Sequence, residues 1–185
     1  MPFGPHRKRS EDNNHARFLT CSCFRRRPFL NKDRTRRWLV EAIDRARTRH
    51  GFDLWAWVIM PEHFHLLLFP NSTGPAIGEI LSTIKQSVAK RSLHWVTEHR
   101  PESLHLFADQ RPDGRTIRRF WQRGGGYDRN LWTPKHIWEK IDYIHMNPVK
   151  RGLCTKPTEW EWSSAITYTN QHLGLLSIND KHIPR

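Results

Sequence analysis

A chain of 185 residues, 37% of them hydrophobic and including nine Trp and nine Phe, is long enough for one domain with a real core and is not a disordered sequence. Thirty-one Lys and Arg against 18 Asp and Glu give a formal charge of +13 and a pI near 10.4, a field that attracts polyanions and points to nucleic acid. No run of about 18 apolar residues can span a bilayer, and no strongly apolar amphipathic helix accompanies the charge to suit a membrane surface.

The N-terminal segment, 1–15, reads as a flexible basic arm. It has no apolar core of a signal peptide, and three cysteines make no disulfide framework, so a reducing, cytoplasmic setting is expected. Cys21 and Cys23 are spaced too closely for a zinc knuckle. The charge is uneven: residues 1–50 hold 14 basic and five acidic side chains. Blocks such as Arg25, Arg26 and Arg27 suit phosphate contacts.

Arg17 to Phe24 is rich in aromatic and β-compatible residues and predicts a strand. Trp38, Leu39, Ala42, Ile43 and Ala46 recur at helical spacing over 34–49, with Gly51 placed as a C-cap. Two apolar runs follow, 54–60 and 63–69, with Pro61 marking the turn between them. A second helix is predicted from Ile77 to Val96. Residues 98–117 lack a period and read as a loop or insertion, and 118–122 as a fourth strand. Thr133 and Pro134 open a third helix as N-cap and first helical residue, running through Met146 and ended by Pro148. Strand–helix–strand–strand–helix–strand is the order of an α+β, ferredoxin-like split βαβ antiparallel sheet with helices on one face. The domain is expected over 16–165, followed by a polar C-terminal tail over 166–185 that succeeds the tryptophan-rich Trp160 and Trp162 segment. Those two tryptophans suit packing more than base stacking.

In a strand, His63 and His65 point to one face and Phe64 to the other, so the two imidazoles can chelate one divalent ion when neutral. Glu62 is read as pointing away from this pair. In the third helix, Tyr143 and Asn147 are one turn apart on one face. Asn147 offers a carbonyl oxygen to a hard cation such as Mg²⁺ or Mn²⁺, and Tyr143 a phenol oxygen as a nucleophile toward phosphorus. Tyr127, at a strand end beside Gly124-Gly125-Gly126, is a competing nucleophile without a ligand partner one turn away. Lys85, Lys90, Arg123 and Arg129 join the arginines of 25–27 as candidate DNA contacts.

Four motifs, MPEHFHLLL (60–68), FWQRGGGYDRNL (120–131), YIHMNPVKRGL (143–153) and WEWSS (160–164), occur in the order found in REP-associated tyrosine transposases. The chain thus resembles these insertion-sequence-200-like, single-tyrosine HUH enzymes over roughly residues 17–165. The three-glycine turn is longer than in many relatives, and 98–117 matches no motif. The resemblance implies His63, His65 and Asn147 as metal ligands and Tyr143 as nucleophile. It also implies single-stranded hairpin or inverted-repeat DNA as substrate, a 5′-phosphotyrosine intermediate, a homodimer, and a cytoplasmic bacterial protein that joins the nucleoid when bound to DNA. Two other classes fit less of the sequence: an inactive or domesticated DNA-binding regulator on the same fold, and a metal-dependent single-strand nuclease that forms no covalent intermediate.

Overall fold

The computed structural model describes residues 15–70, 76–169 and 174–185; the basic arm therefore lies outside the described residues except for its last position, His15. Strand β1 (Ala16–Ser22) is followed by helix α1 (Asp33–His50), whose end at Gly51 takes the left-handed conformation, φ 64°. Strands β2 (Phe52–Ile59) and β3 (His63–Pro70) form a hairpin, and helix α2 (Ile77–His99) crosses back over the sheet. A 3-10 segment (Pro101–Phe107) and a small hairpin of β4 (Ala108–Gln110) and β5 (Thr116–Arg118) come next. Strand β6 (Tyr127–Leu131) precedes helix α3 (Pro134–Lys150), and a short helix α4 (Ala165–Thr169) follows the WEWSS segment. No helix among the described residues is long and apolar enough to cross a membrane.

The main sheet has the order β2-β3-β1-β6, antiparallel throughout, which is the split βαβ arrangement. Its fourth strand is β6, not 118–122. Residues 116–118 pair with β4 in the separate hairpin, while Phe120 and Trp121 turn inward and are buried. The segment 98–117 is accordingly ordered. The first strand stops at Ser22: Cys23 makes only an isolated bridge to Trp121, and the chain then tightens into a 3-10 turn.

Alternation along the strands separates two cores. Leu19, Phe64, Leu66 and Leu68 meet Leu39, Ile43, Ile80, Ile84 and Val88 of α1 and α2 on one face. Phe18, Val58 and Leu67 meet Ile137, Ile141 and Ile144 on the other. The crossover helices thus share a face as expected, and α3 covers the opposite one, the face to which the odd-numbered side chains of β3 point. Helix α3 also runs past Pro148 to Lys150. A proline removes one amide donor but its fixed φ still fits a helix, and the last turn is closed instead by Arg151 N–H to Asn147 O (3.1 Å) and Leu153 N–H to Pro148 O (2.9 Å).

Residues 174–185 lie against the domain. Leu176 joins the α1–α2 core and Ile183 the α3 core, and Asn179 exchanges hydrogen bonds with Leu54. Trp162 is buried in the core, and the Trp160 ring N–H donates to Ile59 O at 3.0 Å, so both tryptophans pack. At the β6 turn, Gly126 has φ 76° and a Cβ there would stand 2.1 Å from Thr20 O. Gly126→Ala is therefore expected to lower stability by about 2 kcal/mol or more, read as a fall in thermal midpoint.

Candidate metal and nucleophile site

His63 and His65 begin β3, pair with Ser22 and Thr20 of β1, and project under α3. Both are buried, at 5% and 3% exposure. Their Nε2 atoms lie 3.0 Å apart. Two ligand atoms bound at right angles to one ion, each about 2.1 Å away, are separated by about 3 Å. The far side of each ring is engaged by an oxygen: His63 Nδ1 by Glu62 Oε1 at 3.2 Å, His65 Nδ1 by Thr20 Oγ1 at 2.8 Å. An ionised carboxylate can only accept, so His63 Nδ1 carries the proton and its Nε2 a lone pair. Each far nitrogen thus faces an oxygen able to accept from it, the carboxylate of Glu62 or the hydroxyl of Thr20, which is what metal-binding imidazoles require. The donor set fits a divalent ion.

Burial and surrounding charge keep the rings neutral. Burial is the largest influence on both; at His63 it is opposed by Glu62 and reinforced by Arg26 and Arg151, and at His65 it is reinforced by the cost of a second imidazolium beside His63 and by Arg26 and Lys140. His63 is thereby pushed below its ordinary value and His65 down to about 3.

Helix α3 supplies the opposite wall. The Tyr143 ring stands 5.5 Å from that of His65 and 5.8 Å from that of Phe18, while Phe18 itself stacks on His65 at 5.3 Å. Tyr143 remains 38% exposed. Lys140 Nζ and Lys150 Nζ lie 5.0 and 5.4 Å from its ring centre, so positive charge flanks the phenol. Two turns beyond, Arg151 Nη1 reaches Glu62 Oε1 at 2.7 Å. Asn147 lies between Tyr143 and Arg151 on the same helical stripe. Its side-chain amide donates to Tyr143 O at 3.2 Å, which leaves its oxygen as the atom suited to an ion. Among the described residues no three His, Cys, Asp or Glu side chains gather as a metal cluster.

Glu62 does not point away from the pair. It belongs to the turn before β3, where strand alternation does not govern direction, and its carboxylate meets His63, Arg151 and Arg26. Arg26 reaches it at 3.3 Å from a turn in which Arg25 and Arg26 both adopt left-handed backbone, φ 53° and 52°. Such conformations cost non-glycine residues about 1 kcal/mol or more each and mark a turn held by its surroundings.

The remaining basic candidates divide. Lys85 donates to Gly124 O at 2.9 Å and, with Arg123, Trp121 and Gln122, lines a cavity of about 430 Å³ between α2 and the glycine turn. Lys85, Arg123 and Gln122 also line a second cavity of about 260 Å³ with Arg26, Thr20 and Tyr127. The two cavities share Lys85, Gln122 and Arg123 and form a basic groove at the sheet end where β1 finishes and β6 begins. Arg25 stacks over Phe24 and Arg27 is half-buried on the same turn. Arg129 is exposed opposite Phe18 on the histidine face. Lys90 is not brought to the site; it lies between α1 and α2 with Arg45 and Arg49. Tyr127 is 48% exposed and touches Phe18 edge-on at 6.0 Å, with Phe18 between it and Tyr143.

Behind the stripe, buried His145 contacts Ser164 Oγ at 2.9 Å, and burial pushes it down to about 4. A histidine kept neutral in the fold costs stability once the unfolded chain takes up its proton. The folded value lies below the unfolded one, so stability is full above about pH 6.5 and falls as pH drops toward 4. His145 alone contributes a loss of about 1.4 kcal/mol per pH unit in that window. Chemical denaturation of metal-free protein at pH 7 and pH 5 checks this, and His145→Gln should flatten the dependence.

No family model matches the chain. A REP-associated tyrosine transposase of Escherichia coli (strain K12) is 27% identical over 126 residues, which is 68% of this chain and 62% of the relative. The chain thus spans less than two thirds of that relative's length. A protein of Haemophilus influenzae named for the same family is 26% identical over 144 residues, covering 72% of this chain and 74% of the relative. A solved structure of a REP-associated tyrosine transposase bound to a REP hairpin superposes with a TM-score of 0.69 at 20% identity, covering 91% of this chain and 87% of the other. That likeness is one of fold.

Proposed function

Because this chain is a relative of the REP-associated tyrosine transposases, we propose that it cuts and rejoins single-stranded DNA beside a hairpin through a covalent tyrosine intermediate. The observation that carries the reading is the convergence of two buried Nε2 atoms, 3.0 Å apart, beneath an exposed tyrosine whose ring is 5.5 Å from His65. A purely DNA-binding module has no use for that set. A hydrolytic nuclease has no use for the tyrosine.

His63, His65 and Asn147 would hold a divalent ion, Mg²⁺ or Mn²⁺, which when bound polarises the scissile phosphate and offsets its negative charge. Tyr143 Oη attacks the phosphorus and loses its proton. The bond to the 3′ oxygen breaks, and that oxygen leaves as a hydroxyl after taking up a proton. The product is a 5′-phosphotyrosine, which keeps the phosphodiester energy, so a 3′-hydroxyl can later attack it and restore both DNA and phenol without a nucleotide cofactor. Lys140 and Lys150 place positive charge beside the phenol, where an anionic backbone must approach.

The groove lined by Arg26, Lys85 and Arg123 opens at the same end of the sheet and suits the phosphates of the strand being cut, and Arg25 adjoins it through its backbone N–H to Gln122 Oε1 at 3.0 Å. The relative in the solved complex holds a REP hairpin; a hairpin of this kind is the proposed ligand here, in the bacterial cytoplasm. The test is incubation with hairpin-bearing single-stranded DNA and Mn²⁺. A protein–DNA adduct that survives denaturant supports transposase chemistry. Cleavage without an adduct would mean a hydrolytic nuclease, and binding without cleavage a regulator.

A further inference from the structure

Arg151 and Glu62 take no part in the bond-making described for Tyr143, yet they join the two walls of the site. Glu62 is 5% exposed, and one of its oxygens, Oε1, receives three donors from three elements. These are Arg151 Nη1 at the end of α3 (2.7 Å), Arg26 Nη2 of the left-handed turn (3.3 Å) and His63 Nδ1 of β3 (3.2 Å). Two guanidinium groups, which can only donate, converge on that oxygen beside an imidazole nitrogen, so Glu62 serves as a carboxylate that accepts from all three.

We infer that Arg151 is a positioning residue: through Glu62 it orients the His63 ring, and with the same ion pair it holds the α3 stripe of Tyr143 and Asn147 over the histidine strand. Arg151 follows Asn147 by one turn and Tyr143 by two, so fixing its head group fixes the register of the stripe. Glu62 fixes the ring because, of the two neutral His63 tautomers, only the one protonated at Nδ1 can donate to it, which turns the Nε2 lone pair toward His65. Arg151 is half-exposed, so its replacement leaves the core packing untouched. The inference rests on the metal-binding reading of His63 and His65.

A cation at the end of a helix also favours that helix by its charge alone, and the choice of variants separates the two roles. Glu62→Gln keeps the arginine at the helix end and removes the carboxylate; Arg151→Met removes the arginine and keeps the carboxylate. Mn²⁺ affinity is read by electron paramagnetic resonance, the His63 tautomer by ¹⁵N nuclear magnetic resonance, and folding by circular dichroism. Unsubstituted protein without metal should show His63 protonated at Nδ1. Both variants should bind Mn²⁺ about 10- to 100-fold more weakly, with Arg151→Lys recovering part of the loss. Should Glu62→Gln fail to fold, Arg151→Met and the tautomer of the unsubstituted protein decide.

An Nε2-protonated His63, or Mn²⁺ affinity lowered less than about tenfold in a folded variant, overturns the inference. Loss of affinity in both variants from a protein that forms no DNA adduct would overturn the transposase reading and leave this one standing.

Discussion

Tyr143→Phe is expected to abolish covalent capture of DNA and to lower strand cleavage by about 10⁴-fold or more, with Mn²⁺ affinity unchanged. The substitution removes a single hydroxyl. The ring contacts with Phe18, His65, Lys140 and Lys150 are made by the ring face and edge, so the helix stays docked as before. Nothing else on the α3 stripe offers a comparable nucleophile: Asn147 is an amide and Arg151 is tied to Glu62. Tyr127→Phe supplies the control. Its ring is exposed on β6, separated from Tyr143 by Phe18, and its loss should change cleavage less than about tenfold. Denaturing electrophoresis of labelled DNA reads both variants, and cleavage surviving in Tyr143→Phe would remove the tyrosine from the chemistry.

His65→Ala is the second large effect. One of two convergent Nε2 atoms disappears, and Mn²⁺ affinity should fall by more than the 10- to 100-fold typical of losing an outer partner. Cleavage should fall by about 10³-fold or more, the several kcal/mol that a bound ion contributes to stabilising charge on phosphate. His65 also packs on Phe18 and contacts Thr20, so thermal melting must accompany the assay. Cleavage by the unsubstituted protein that persists in a chelator would contradict the metal's part directly.

Much of the fold and part of the site were legible in the residues. His63-Phe64-His65 obeys the two-residue period of a strand, and Tyr143 and Asn147 obey the four-residue spacing of a helix face, so both pairs could be placed before their surroundings were known. The strands and helices with clean hydrophobic periods fell within a few residues of their predicted limits. What escaped lies where periodicity ends. Glu62 sits in a turn, so alternation misdirected it. Arg151 shares the stripe of Tyr143 and Asn147, but ending the helix at Pro148 hid that relation. The left-handed turn at Arg25 and Arg26 has no glycine to announce it, and it is tertiary contacts with Gln122 and Glu62 that accompany it. The fourth strand was misplaced because Phe120 and Trp121 look strand-like in isolation, whereas their bulk is used to fill the core beneath α2. Placing α3 on the face opposite α1 and α2 gives the pleat of β3 its meaning: one parity feeds the core, the other the site.

In the proposed reaction Tyr143 itself becomes joined to DNA. Proteolysis of the protein–DNA adduct, followed by mass spectrometry of the nucleotide-bearing peptide, tests it most directly. A phosphodiester-linked nucleotide is expected on the α3 peptide, localised by fragmentation to Tyr143. A nucleotide on Tyr127, or on any peptide outside α3, would contradict it.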